Sequence, residues 1–250
     1  MKRAAFVLLV FSAPAWAQAP SAAKAAKPSA MPSNDAYDLR GIWQAKGNAY
    51  RNLEAEKGVI VDPAGGKIPY RTEARASVDR NFQARATTDP LLVCFQPGVP
   101  RATLLPEPFQ IFQQQDRVVI VYQHVHAYRV IFTDGRPHYD DGIEFYMGDS
   151  RGHWEGNTLV VDATNFKAQN WLDAAGHFLG NKLHVVERYT RTAPSTMRYE
   201  AKIEDPEVFQ RPWTMRVDLA QHTEPNFQLI EHECERDAQG VYRHPPQFLK

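Results

Sequence analysis

The sequence predicts an all-β domain: a single antiparallel β-barrel with short helical insertions. Three observations lead there. Runs rich in β-branched and aromatic residues recur, several alternating with period two. Turn dipeptides such as Asp134-Gly135 and Gly156-Asn157 separate them. Helical periodicity is scarce, so the alternating helices of an α/β sheet are missing, and no internal repeat suggests a propeller or solenoid.

From the N-terminus, Lys2 and Arg3 precede a short apolar run, and Ala15-Trp16-Ala17 has the small-x-small form of a cleavage site. Residues 1–17 therefore read as a signal peptide. Residues 18–36 are mostly Ala, Ser, Pro and Lys, too polar and small to offset their ordering entropy, and read as a flexible linker. The barrel domain then occupies residues 37–250. Gly41 and Trp43 near its start resemble the entry of lipocalin-like barrels, where the glycine permits close approach and the tryptophan plugs one end.

Strands are expected at 118–132, 158–162, 183–191, 197–203, 213–219 and 227–234. Residues 71–86 are the best helix candidate, with Ala74, Val78 and Phe82 four apart. Prolines at 90, 97, 100, 106 and 108 make 89–108 an irregular extended stretch. An even pair of cysteines, Cys94 and Cys234, invites a disulfide in an exported chain; two separate buried thiols are the alternative.

Lys and Arg total 29, and so do Asp and Glu, which argues against a nucleic-acid binder. No apolar run reaches the roughly 18 residues of a membrane span. Phosphate-loop, dinucleotide-glycine, His-Glu-x-x-His and haem-attachment motifs are all missing. No cofactor and no metal are expected.

Residues 148–162 read GDSRGHWEGNTLVVD. Together with Cys94, Pro97-Gly98-Val99-Pro100-Arg101, Tyr128-Arg129-Val130-Ile131, Glu187-Arg188-Tyr189, Asp205-Pro206 and Arg211-Pro212-Trp213, this stretch is similar to a largely uncharacterised family of exported bacterial β-rich proteins carrying a GDSxGxWEGxTLVVD motif. The resemblance implies an exported β-rich domain and no particular reaction.

Tyr122, His124, His126 and Tyr128 have period two, and on one strand they share one face. Facing a barrel cavity, they would line a pocket for a flat or hydrophobic molecule; facing solvent, they would leave the valines to the core. Arg129, if buried, needs an anion, and Glu187 is the matching internal acid, either as a structural pair or as part of a substrate clamp. His126, His184, Glu187 and Arg129 are the expected catalytic groups. Tyr122, His124, Tyr128, Trp154, Trp171 and Asp173 are expected to bind substrate, and Asp173 and His184 are possible proton-transfer partners. His-x-His could also begin a metal site, but candidate further ligands (His138, His153, His184) cannot be placed by spacing. Trp154-Glu155-Gly156-Asn157 reads as a hairpin turn with a packed Trp.

The functional expectation is a cofactor-independent acid–base enzyme: a lyase, dehydratase or isomerase acting on a small hydrophobic or aromatic molecule, in the periplasm or secreted. The alternative is a non-catalytic, lipocalin-like carrier of hydrophobic small molecules.

Overall fold

The alternation seen in sequence becomes the wall of a barrel. The computed structural model describes residues 38–63, 65–140, 142–167, 169–236 and 242–243; the expected signal peptide and linker lie outside the described residues. In chain order the elements are β1 (Gly41–Ala45), β2 (Ile60–Asp62), helix α1 (Thr72–Thr88), short helix α2 (Arg101–Leu104), β3 (Phe109–Gln113), β4 (Arg117–Tyr122), β5 (Tyr128–Phe132) and β6 (Asp149–Glu155). Then follow β7 (Thr158–Thr164), β8 (His184–Ala193), β9 (Thr196–Glu204) and β10 (Trp213–Gln221), with the two-residue strands β11 (Glu235–Arg236) and β12 (Tyr242–Arg243) pairing separately.

Among the described residues, β1, β3–β9 and β10 follow one another around a ring that closes where β10 meets β1. Strand β2 adds to the same edge of β10 beside β1. A ring with an odd number of strands cannot be antiparallel at every seam, because directions must alternate evenly to close. The exception here is β5 against β6, which run parallel with Ile131 opposite Ser150. The barrel is therefore mixed, with one parallel seam where the sequence predicted none.

Three local expectations change, the first being that residues 227–234 form no strand. Residues 118–132 form a hairpin rather than one strand: β4 ends at Tyr122, and a 3-10 turn spans His124–His126. Val125 and His126 take left-handed φ values of 44° and 51°, which breaks the period-two register between Tyr122 and Tyr128. Within 89–108, a 3-10 turn at Pro90–Val93 and helix α2 replace the irregular stretch. The expected helix is present as α1, with Val78 buried, and the 156–157 turn joins β6 to β7. Cys94 and Cys234 form a disulfide with Cα atoms 5.6 Å apart.

Trp43 is wholly buried, donates from its indole N–H to the Leu39 carbonyl at 2.9 Å, and carries the Arg191 guanidinium 5.7 Å over its ring. Gly41, at φ +126°, lies against Gln221 so closely that a Cβ would collide with that side chain.

The barrel axis is filled, which corrects the expected cavity. Trp43, Phe109, Ile120, Val161, Tyr199 and Trp213 have no accessible surface. A side chain with none borders no void large enough for water, so these side chains pack against one another. Within this core Arg129 forks onto Glu187, with N···O distances of 2.9 and 2.6 Å, and also donates to Ser150 Oγ at 2.8 Å. The Tyr189 and Tyr199 hydroxyls donate to Glu187 Oε1 at 3.0 and 2.9 Å. Burial opposes the charge on Arg129, but the Glu187 carboxylate outweighs it and raises the guanidinium well above its ordinary pKa.

Removing one member of such a pair strands a buried charge, at a cost of about 3–5 kcal/mol. Arg129→Met is expected to lower the urea-unfolding free energy by that amount, and Arg129→Met with Glu187→Leu to recover much of it. An unchanged midpoint in the single variant would contradict a structural role for the pair.

Candidate active site

The expected site residues do not assemble inside the barrel. Tyr122 is buried in the core, its ring against Phe109 at 5.4 Å. His124 is buried on the 3-10 turn beside His232 and Glu107, whereas His126 and Tyr128 are exposed. Arg129 and Glu187 are spent on each other. Trp154 packs against the core from β6, and Trp171 is buried beside Phe178. His184 lies half-exposed on the outer wall, bonded to Asp162 at 2.9 Å rather than to Asp173. Of the four expected catalytic groups, only Arg129 and Glu187 meet, and they meet as a closed core pair. The polar residues of the 148–162 segment are likewise engaged: Asp149 with Arg151 and His138, Ser150 with Arg129, Glu155 with Arg188.

Asp173 instead forms a different constellation, outside the barrel. Its carboxylate accepts from the backbone N–H groups of Leu53, Ala175 and His177 at 2.8, 3.0 and 3.3 Å. This is the habit of aspartate in a turn, where the side chain satisfies nearby donors. The turn brings His177 back onto the same carboxylate, with Nδ1 2.6 Å from Oδ2. On the other side of the ring, Nε2 is 3.8 Å from Glu54 Oε1. Tyr70 stacks on the imidazole with centroids 6.1 Å apart and planes 11° from parallel. Its hydroxyl accepts from the Phe178 N–H at 2.9 Å and donates to the Phe178 carbonyl at 3.0 Å.

Glu54 is held as firmly. Arg75 of α1 forks onto it at 2.6 and 2.9 Å, Lys67 donates at 3.2 Å, and the Ile68 N–H donates at 3.0 Å. Helix α1 supplies Arg75, Val78, Asp79 and Phe82 from one face, at the i, i+3, i+4 and i+7 spacing that makes helical neighbours. Gly176, at φ +82°, lets the 173–177 turn approach α1 so closely that a Cβ would meet Asn81. Asn81 then donates to the Gly176 carbonyl at 3.1 Å.

These segments enclose a cleft of about 290 Å³ lined by Asn52, Glu54, Ala55, Lys67, Arg75, Val78, Asp79, Phe82, Ala175 and His177. Burial works against charging His177, but its bonds to Asp173 and Glu54 prevail and raise its pKa to about 9. Burial likewise opposes the charge on Glu54, yet His177 and Arg75 hold its carboxyl well below the usual range. At neutral pH the shift favours an imidazolium on the cleft floor, held between the carboxylates of Asp173 and Glu54.

Sequence reasoning chose Asp173 but missed Glu54, Arg75 and the pairing to His177. The one local signal was Asp173-Ala-Ala-Gly176-His177, a turn that returns a histidine to an aspartate. Metal-type donors converge at His126, Glu231 and Glu233, none of which lines this cleft. No family model matches the chain, and no curated protein matches it.

A folded-state pKa raised from 6.5 to about 9 stabilises the fold fully below pH 6.5, and that contribution is lost as pH rises through 9. Urea titrations between pH 6 and 10 are expected to show stability falling across this window, by on the order of 3 kcal/mol from this group. His177→Gln should remove that slope. A slope of equal size in the variant would assign it elsewhere.

Proposed function

We propose that the protein is an acid–base enzyme of the lyase or dehydratase type, working in the cleft between α1 and the 173–177 turn. One observation carries this reading: a buried imidazole clamped by Asp173 at 2.6 Å, with Glu54 beyond its other nitrogen, on the floor of a cleft large enough for a small molecule.

The roles follow from charge. Imidazolium His177 donates its Nε2 proton to a leaving oxygen as the carbon–oxygen bond breaks. Asp79 lines the same cleft, has no ion-pair partner among the described residues, and is the carboxylate that accepts the proton from the neighbouring carbon. Transfer of that proton from Asp79 back to His177 restores the starting state. Asp173 sets the ring orientation, and Glu54, neutralised by Arg75, stabilises the cation without competing for the proton. The wall formed by Ala55, Val78, Phe82 and Ala175 suits a substrate with an apolar or aromatic body and a hydroxyl leaving group.

A carrier of hydrophobic molecules would need the barrel space that Trp43, Tyr199 and Trp213 occupy, so the enzyme reading is preferred. The same proposal places the protein after export, in the periplasm or secreted. The Cys94–Cys234 disulfide and the resemblance of residues 148–162 to exported proteins support this. No helix among the described residues is long and apolar enough to cross a membrane.

The test is turnover of a panel of hydroxylated aromatic and terpenoid compounds, followed by mass spectrometry. On the compound that is converted, His177→Gln and Asp79→Asn are each expected to lower kcat by about 10²–10⁴-fold with the fold retained. The wild-type rate should fall as pH rises through about 9, where His177 loses its proton. A compound returned unchanged but protein-bound would favour the carrier, and full activity in His177→Gln would remove the proposed donor.

A further inference from the structure

The turn His124–His126 and residues 230–233 lie side by side, joined where the Ile230 N–H donates to Gln123 Oε1 at 3.0 Å. Disulfide-bonded Cys234 anchors the second segment immediately afterwards. Each segment splits its side chains between core and solvent. His124 and His232 turn inward, their rings 5.0 Å apart, while His126, Glu231 and Glu233 turn outward. The left-handed backbone at Val125 and His126 produces the split in the turn, and in the 231–233 segment burial alternates from residue to residue.

On the outer side, one ligand atom from each of His126, Glu231 and Glu233 lies within 4.8 Å of the other two. His126 Nδ1 and Glu233 Oε1 are 3.2 Å apart. Donors 2.0–2.2 Å from a tetrahedral ion are roughly 3.3–3.6 Å from one another, so this pair is already near the spacing of one edge. The charge balance is a separate observation. The half-buried carboxylates Asp38, Asp116, Asp134 and Glu200 each pair with an arginine. Glu231 and Glu233 converge with no lysine or arginine paired to either among the described residues, leaving two anions facing one imidazole.

We propose that His126, Glu231 and Glu233 bind a divalent transition-metal ion of the Zn2+ class, which cross-links the 230–234 segment to the β4–β5 turn. One imidazole and two carboxylates suit such an ion, whereas Mg2+ and Ca2+ favour all-oxygen sites. The site shares no residue with the cleft, so it stands or falls independently of the proposed reaction.

The experiment is calorimetric titration of the chelator-treated, disulfide-intact protein with Zn2+ and separately with Mg2+, together with thermal unfolding in each. One Zn2+ per chain and a melting temperature raised by several degrees are expected, without matching Mg2+ binding. His126→Ala and Glu233→Gln should each weaken Zn2+ binding at least tenfold while leaving the metal-free melting temperature unchanged, since both side chains are half exposed. Absence of stoichiometric Zn2+ binding overturns the site. So does binding undiminished in the double variant, or Mg2+ bound as tightly as Zn2+.

Discussion

A barrel that closes on a buried charged pair must hold the two charges against each other, and this requirement shapes the molecule. Arg129 on β5 and Glu187 on β8 reach across the core, and Ser150, Tyr189 and Tyr199 add hydrogen bonds to them, leaving Arg129 Nε as the one guanidinium nitrogen without a partner. A guanidinium and a carboxylate out of water cost several kcal/mol each before their attraction is counted. The surrounding aromatic side chains exclude water and leave the pair no alternative partner. Stability and register therefore claim the interior, and chemistry is displaced to the outside.

That displacement explains where the candidate active site lies. The cleft is assembled from connections rather than strands: the segment before β2, helix α1 and the turn before β8. Loops on a rigid scaffold can hold strained and charged groups that a packed core cannot. Here the rigidity is supplied by side chain-to-backbone bonds. Asp173 ties its turn to Leu53, Tyr70 ties Phe178, and Asn81 ties Gly176 to α1. The outcome is an imidazolium whose charge is favoured by two carboxylates despite burial, a balance that a solvent-exposed histidine would not reach.

Histidines near one another in sequence meet opposite fates for comparable reasons. His124 and His126 are two residues apart, yet one is core and the other is surface, because the chain passes through left-handed geometry between β4 and β5. Treating 118–132 as one strand put Tyr122, both histidines and Tyr128 on a single face. The actual hairpin buries Tyr122 and exposes Tyr128. A valine at positive φ runs against its intrinsic preference, so local composition pointed to a strand there.

Period-two alternation marked β8, β9 and β10, a β-branched run after the Gly156-Asn157 turn marked β7, and the four-residue spacing marked α1, because each depends on neighbours in the chain. An even cysteine pair and a buried arginine needing an acid were also sufficient to suggest the disulfide and the Arg129–Glu187 contact. The parallel seam, the filled axis and the union of Asp173 and His177 with Glu54 were decided by tertiary structure alone. Ring closure counts strands across the whole domain, and packing sums side chains from every wall. Glu54 lies more than a hundred residues from the dyad it completes. No local pattern encodes those distances, whereas the burial and charge that give the histidine its chemistry exist only once they are closed.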